Sequence, residues 1–174
     1  MKRLWKKGLE HLNEPYRTVL RKLLNSLLEV FHENLISLIV FGSIARGDYR
    51  RNSDIDILLV VENLPKGRFK RIDLFEKAEE KIESYLEELF DKGYYVSFSP
   101  IIKTPKEAAK ISPLYLDMVE DAIIIYDRDL FFEKILLKLK RKLEELGAER
   151  IWLGRKWYWR LKRNYRFGEE IIIE

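Results

Sequence analysis

The sequence predicts an α/β (α+β) domain, a small mixed β-sheet flanked by helices and continued by a helical C-terminal extension. Three observations predict it. Short β-branched runs alternate with long apolar stripes at helical spacing. The segment joining the first two strands is too short for a full crossover helix. Gly and Pro fall singly between periodic segments, with no repeat, low-complexity tract or Gly/Ser linker. At 174 residues the chain is large enough for one core and too small for two comfortable domains.

Taken in order, residues 15 to 33 carry Tyr16, Val19, Leu20, Leu23, Leu24, Leu27, Leu28 and Phe31 at steps of three and four, which predicts an amphipathic helix. Asn13 and Pro15 suit its start. LISLIVF, residues 35 to 41, ends at Gly42 and reads as a buried strand; Ile55 to Val61 reads as a second, not necessarily parallel to it. GSIARGDYRRNSD between them reads as a loop with one or two helical turns. Phe69, Ile72, Phe75, Ala78, Ile82, Tyr85, Leu86 and Leu89 predict one long helix over 68 to 91, closed near Gly93. Tyr94 to Ile102 reads as a third strand in which Pro100 demands an edge or terminal position. Short helices are expected after Pro105 and Pro113, a fourth strand over Ala122 to Tyr126, and a third long helix over Leu130 to Leu146. For Ala148 to Glu174 the expectation is a helix followed by a tail strand.

Composition narrows the function. No apolar run approaches the roughly 20 residues needed to cross a bilayer, so no membrane is expected. MKRLWKKGLE lacks the apolar stretch and cleavage site of a signal peptide, which predicts a cytoplasmic protein. With no Cys and only His11 and His32, thiolate metal sites and cysteine nucleophiles are excluded, and any metal must rest mainly on carboxylates. Lys+Arg 33 against Asp+Glu 29 fits an intracellular protein of a thermophile.

The chemistry-bearing stretch is Gly42-Ser43, ten residues, then Asp54-Ile55-Asp56. Residues i and i+2 of a strand face one side, so Asp54 and Asp56 project together, and their repulsion calls for a cation. An oxygen-only pair suits Mg²⁺ carrying substrate phosphates. Gly42 lets a backbone approach a ligand closely; Ser43 can offer hydroxyl and N–H to phosphate, and Arg46, Arg50 and Arg51 add positive charge. Alternatively the three arginines are a solvated loop with Asp48, an equal reading.

GSIARGDYRRNSDIDILLV resembles the signature of the DNA polymerase beta-type nucleotidyltransferase superfamily, and most resembles its minimal stand-alone archaeal and bacterial members. SPIIKTPKEAAK and LYLDMVEDAIIIYDRD are similar to such proteins too. The resemblance covers residues 15 to 135 and implies the nucleotidyltransferase fold, with a domain over 1–135 (core 15–127) and a C-terminal helix and tail, 136–174, packed on it. It implies Asp54 and Asp56 as catalytic metal ligands, Gly42, Ser43 and Arg46 as nucleotide and phosphate contacts, Mg²⁺ or Mn²⁺ as the metal, and an NTP, foremost ATP, as substrate. The implied reaction moves a nucleoside monophosphate, foremost AMP, to an acceptor hydroxyl with release of pyrophosphate. A helical partner protein or a second copy is the implied company. The superfamily's third carboxylate is missing: YYVSFSPII offers Tyr95, Ser97 and Ser99 on the expected face, read as ordinary strand residues, with Glu107 just beyond as a substitute. The alternative is therefore a module that binds metal and nucleotide, or a partner in the manner of an antitoxin, without turnover.

Residues 150 to 166 hold seven positives and no acid, interleaved with Trp152, Trp157, Tyr158, Trp159 and Tyr165. Such a surface can bind RNA, a third reading. Packing of the tryptophans on the core or a second subunit is the preferred one. Ile171 to Ile173 reads as an edge strand able to pair with another copy.

Overall fold

The computed structural model describes residues 5–173. The first four residues of the basic N-terminal stretch and the last residue of the tail lie outside that range. The elements run β1 (Lys6–Lys7), α1 (Tyr16–Phe31), β2 (Leu35–Phe41), α2 (Gly42–Arg46), β3 (Ile55–Val61), α3 (Arg68–Glu80), α4 (Glu83–Asp91), β4 (Phe98–Lys103), α5 (Pro105–Ala108), α6 (Leu114–Asp121), β5 (Ile123–Asp127), α7 (Phe131–Leu146), β6 (Glu149–Leu153) and β7 (Lys156–Arg160).

Five strands form a mixed sheet in the order β1-β5-β2-β3-β4, with β2 antiparallel to both β3 and β5, and with β4 and β1 parallel to their single neighbours. The pleat sorts β3 between two cores. Ile55, Ile57, Leu59 and Val61 enter the cluster built by α1, α3 and α4, whereas Leu58 and Val60 enter the one built by α5, α6 and α7. The molecule is thus a sheet between two helical layers. Asp127 ties the layers together: it accepts from the buried Ser37 hydroxyl at 2.6 Å and from the Phe132 and Glu133 amides at 3.0 Å each, satisfying orphan donors at the start of α7. Among the described residues no helix is long and apolar enough to cross a membrane.

The structure corrects four expectations. The helix expected over 68 to 91 is two helices, α3 and α4, broken at Lys81 and Ile82, where Ile82 leaves helical geometry (φ −112°, ψ 5°) yet stays buried. Glu76, Glu79, Glu80 and Glu83 stand at helical-neighbour spacing there. Such like-charge pairs each cost about 0.2–0.5 kcal/mol; burial first, then Glu76 and Glu83, push the Glu79 carboxyl up. The third strand starts at Phe98 rather than Tyr94, and lies at the sheet edge as Pro100 requires. Residues 149–160 form an antiparallel hairpin, not a helix, because Trp157 and Trp159 repeat at period two and Gly154 takes φ +65° in a two-residue turn. Ile171 to Ile173 form no strand; Ile173 packs on the second core. The two-residue β1, parallel to β5, was not foreseen.

Candidate functional site

Three segments meet at one end of the sheet: the turn from β2 into α2, the start of β3, and the start of β4. Phe41 is paired with Asp56 across β2 and β3, and the next residue, Gly42, takes φ +69°. A Cβ on Gly42 would lie 2.1 Å from Asp56 Oδ2, so glycine is required both by the left-handed backbone and by the carboxylate seated on its Cα. The Ile55 amide donates to the Ser97 carbonyl at 2.8 Å, which brings the chain ahead of β4 alongside Asp54. Ser97 Oγ donates a hydrogen bond to Asp54 Oδ1. Asp56 shares parity with Leu58 and Val60, hence faces the α6 and α7 layer, and its register partner on β4 is Ser99.

Burial, then the neighbouring Asp54 charge, push the Asp56 carboxyl above the ordinary range; a hydrogen bond with Ser99 and the charge of Arg46 act the other way. Two carboxylates held together beside a glycine-lined approach fit a divalent cation with oxygen ligands. Among the described residues no group of three or more His, Asp or Glu side chains converges to hold a metal. Glu107 does not serve as the third. Its carboxylate is clamped by Arg71 at 2.7 and 3.0 Å and accepts from the Thr104 amide at 2.9 Å, which closes the capping box of α5. Arg71 first, then the Thr104 amide, hold the Glu107 pKa down to about 2.

Of the arginines, Arg46 is the one at the site. It pairs with Asp48 at 3.2 Å and lies with its guanidinium carbon 4.7 Å from the centre of the Trp157 indole. Arg51 sits over Tyr94 at 5.8 Å. His11 lies beside Glu10, 4.0 Å from its carboxylate. The basic C-terminal segment is folded onto the protein: Arg150 pairs with Asp121, Arg160 and Arg163 with Glu149, and Lys162 with Glu169. The Trp157 and Trp159 indoles both donate to Asp117 Oδ1, at 2.8 and 2.9 Å. Trp157 and Trp159 are thereby tied to the domain, whereas Trp152 packs on Trp157 and stays 49% exposed.

Sequence reasoning missed Ser97 and Ser99 as partners of the aspartates. Their i, i+2 spacing opposite Asp54 and Asp56 was the available signal. It missed Trp157 too, for which no local signal exists. A cavity of about 860 Å³ shares Ser97 as a wall and is otherwise lined by α3, α4 and the segment between α4 and β4, including Glu79, Glu83, Phe90 and Tyr95. A second, of about 670 Å³, runs past Ser99 toward Arg68 and Arg71.

A sequence profile of the nucleotidyltransferase domain matches residues 20–145. The chain belongs to that family. Nucleotidyltransferases of this family use a nucleoside triphosphate and a divalent metal. Among the relatives, a Methanocaldococcus jannaschii protein named as a protein adenylyltransferase, MJ1305, is 34% identical over 124 residues, 70% of this chain and 79% of the relative. A second from that organism, MJ0141, named likewise, is 30% identical over 103 residues, 59% of this chain and 90% of the relative. A crystal structure of a nucleotidyltransferase from Sulfolobus solfataricus is 24% identical, covers 64% of this chain and 80% of that one, and superposes with a TM-score of 0.40.

Proposed function

We propose that this nucleotidyltransferase moves AMP from ATP to a hydroxyl of a protein acceptor. The observation that carries the reading is the Asp54–Asp56 pair, with Asp56 seated against Gly42, on a chain whose residues 20–145 match the family. ATP as donor and a protein as acceptor follow the names of the two Methanocaldococcus jannaschii relatives.

Asp54 and Asp56 would hold Mg²⁺ or Mn²⁺, which supplies neutralising charge for the triphosphate and the departing pyrophosphate. The hydroxyls of Ser97 and Ser99 keep the two carboxylates aimed. Ser43, next to Gly42, and Arg46 bind the phosphate tail, Ser43 by hydroxyl and amide, Arg46 by its forked guanidinium. The cavity beside Ser97 gives the acceptor room to present its hydroxyl. The acceptor oxygen bonds to the α-phosphorus, the bond to pyrophosphate breaks, and the hydroxyl proton leaves to water or to a base brought by the acceptor. A serine hydroxyl is a poor base, so Ser97 and Ser99 are given no part in taking that proton.

A second reading is favoured by one observation, the two-ligand limit: a module that binds nucleotide and metal without turnover. One experiment separates the two. ATP labelled at the α-phosphate is incubated with Mg²⁺ or Mn²⁺ and fractionated cell protein, RNA and small molecules, beside an Asp54→Ala/Asp56→Ala variant. Label in protein with the wild type and not with the variant is the expected result. Label in no fraction, with ATP binding intact, overturns transfer in favour of the binding module. Ser97→Asp is the companion variant: a rise in labelling identifies the missing carboxylate as the limit on rate.

A further inference from the structure

The hairpin of β6 and β7 lies beyond the matched residues 20–145, yet it reaches the site. Two anchors fix it on α6. One is Asp117, a single carboxylate oxygen taking both indole N–H groups of β7. The other, one helical turn further, is Asp121, paired with the Arg150 guanidinium at 2.5 and 3.1 Å. Two anchors on successive turns of one helix set where the hairpin lies and how it is rotated. What they set is the Trp157 ring, because Arg150 also lies 5.4 Å from its centre and Trp152 packs against it at 4.8 Å. Arg46 meets that ring at 4.7 Å and is held from another side by Asp48 at 3.2 Å, with its side chain only 19% exposed. Its charge reaches Asp56.

We infer that Trp157 is a positioning residue of the nucleotide site, holding the Arg46 guanidinium in place for the triphosphate so that the C-terminal hairpin is a working part of that site. An arginine on a mobile loop loses side-chain freedom when it engages phosphate, whereas one already lying on an indole has lost it beforehand. Cation–π attraction and the two acid anchors supply the hold. The inference rests on the reading of Arg46 as a phosphate ligand given above.

The test uses the full chain and a readout that does not need turnover, the Kd for Mg·ATP by titration calorimetry, with kcat and KM measured alongside. Trp157→Phe and Trp157→Leu both fill the position, and in both Trp159 still occupies Asp117; only Phe offers a ring face. The expected result is ATP affinity within about twofold of wild type for Phe and about five- to tenfold weaker for Leu. The loss should appear in KM, with kcat little changed. On an Arg46→Ala background, Trp157→Leu should change the Kd no further. The inference is overturned if Trp157→Leu binds ATP as wild type does, or if it weakens binding equally with and without Arg46. Arg46→Ala with wild-type affinity would overturn the phosphate role of Arg46 and this inference with it. AMP transfer is judged separately, by the labelling experiment.

Discussion

At the scale of single residues, the contact between Gly42 and Asp56 is the tightest constraint in the site. An added methyl meets two obstacles, a backbone at φ +69° and Asp56 Oδ2 at 2.1 Å. Gly42→Ala should therefore cost about 1–2 kcal/mol from the left-handed backbone alone. It should also push the Asp56 carboxylate away from Asp54, lowering metal-dependent ATP affinity by roughly tenfold or more. Denaturant melts and calorimetry with Mn²⁺ read the two effects separately. Glu107 offers a contrasting carboxylate, one committed to structure. Its pKa is held at about 2 in the folded chain against an ordinary 4.5, so its contribution to stability is full above pH 4.5 and lost as pH falls from there toward 2. Because its side chain is 46% exposed, solvent screening limits the worth of the Arg71 pair to about 0.5–1 kcal/mol. Unfolding free energies of wild type and Glu107→Gln from urea melts should differ by that amount at pH 7 and converge only as pH falls to about 2.

At the scale of elements, the hairpin is the instructive case. Its strands pair only with each other, and an isolated two-stranded hairpin is marginal in water. Its anchors on α6 must therefore hold it in place. Asp117→Ala removes the shared acceptor of two part-buried indole N–H groups and should destabilise the hairpin's docking by about 2 kcal/mol. Limited proteolysis checks this: cleavage near the turn at Gly154 should accelerate in the variant while residues 5–146 stay resistant. The break between α3 and α4 makes the complementary point. A stripe that is periodic in apolar residues still breaks where like charges crowd one helical face, and the break lets Ile82 and Leu89 both reach the core.

At the scale of the whole molecule, one sheet serves two cores. β2, β3 and β5 each feed both, and β3 shows it most fully, Ile57 and Leu59 going to one side and Leu58 and Val60 to the other, all fully buried. Neither helical layer can lose its packing without exposing the strand that the other needs, so unfolding should be a single cooperative transition. Phe132→Ala opens a void in the second core, where the ring is fully buried and meets Tyr115 edge-on at 5.1 Å. A loss of about 3–5 kcal/mol is expected, with coincident transitions by fluorescence and far-UV circular dichroism. Separate transitions for the two probes would contradict the shared-sheet account.

What the sequence alone determined is what short-range periodicity and local chemistry carry. LISLIVF and IDILLVV are apolar enough to be buried strands in any mixed fold, the 16–31 and 131–146 stripes have one face to bury, and Asp54 and Asp56 at i, i+2 must share a side. The Gly-Ser, ten residues, Asp-x-Asp spacing was legible for the same reason: its members lie at the ends of two adjacent strands. Tertiary structure alone decided what depends on distant partners. It set Ser97 and Ser99 against the aspartates, paired Glu107 with Arg71, and laid the Trp157 indole on Arg46 by way of acids on α6. Those contacts join segments far apart in the chain, and pairing across such separations is fixed by packing and register, which leave no period in the sequence to read.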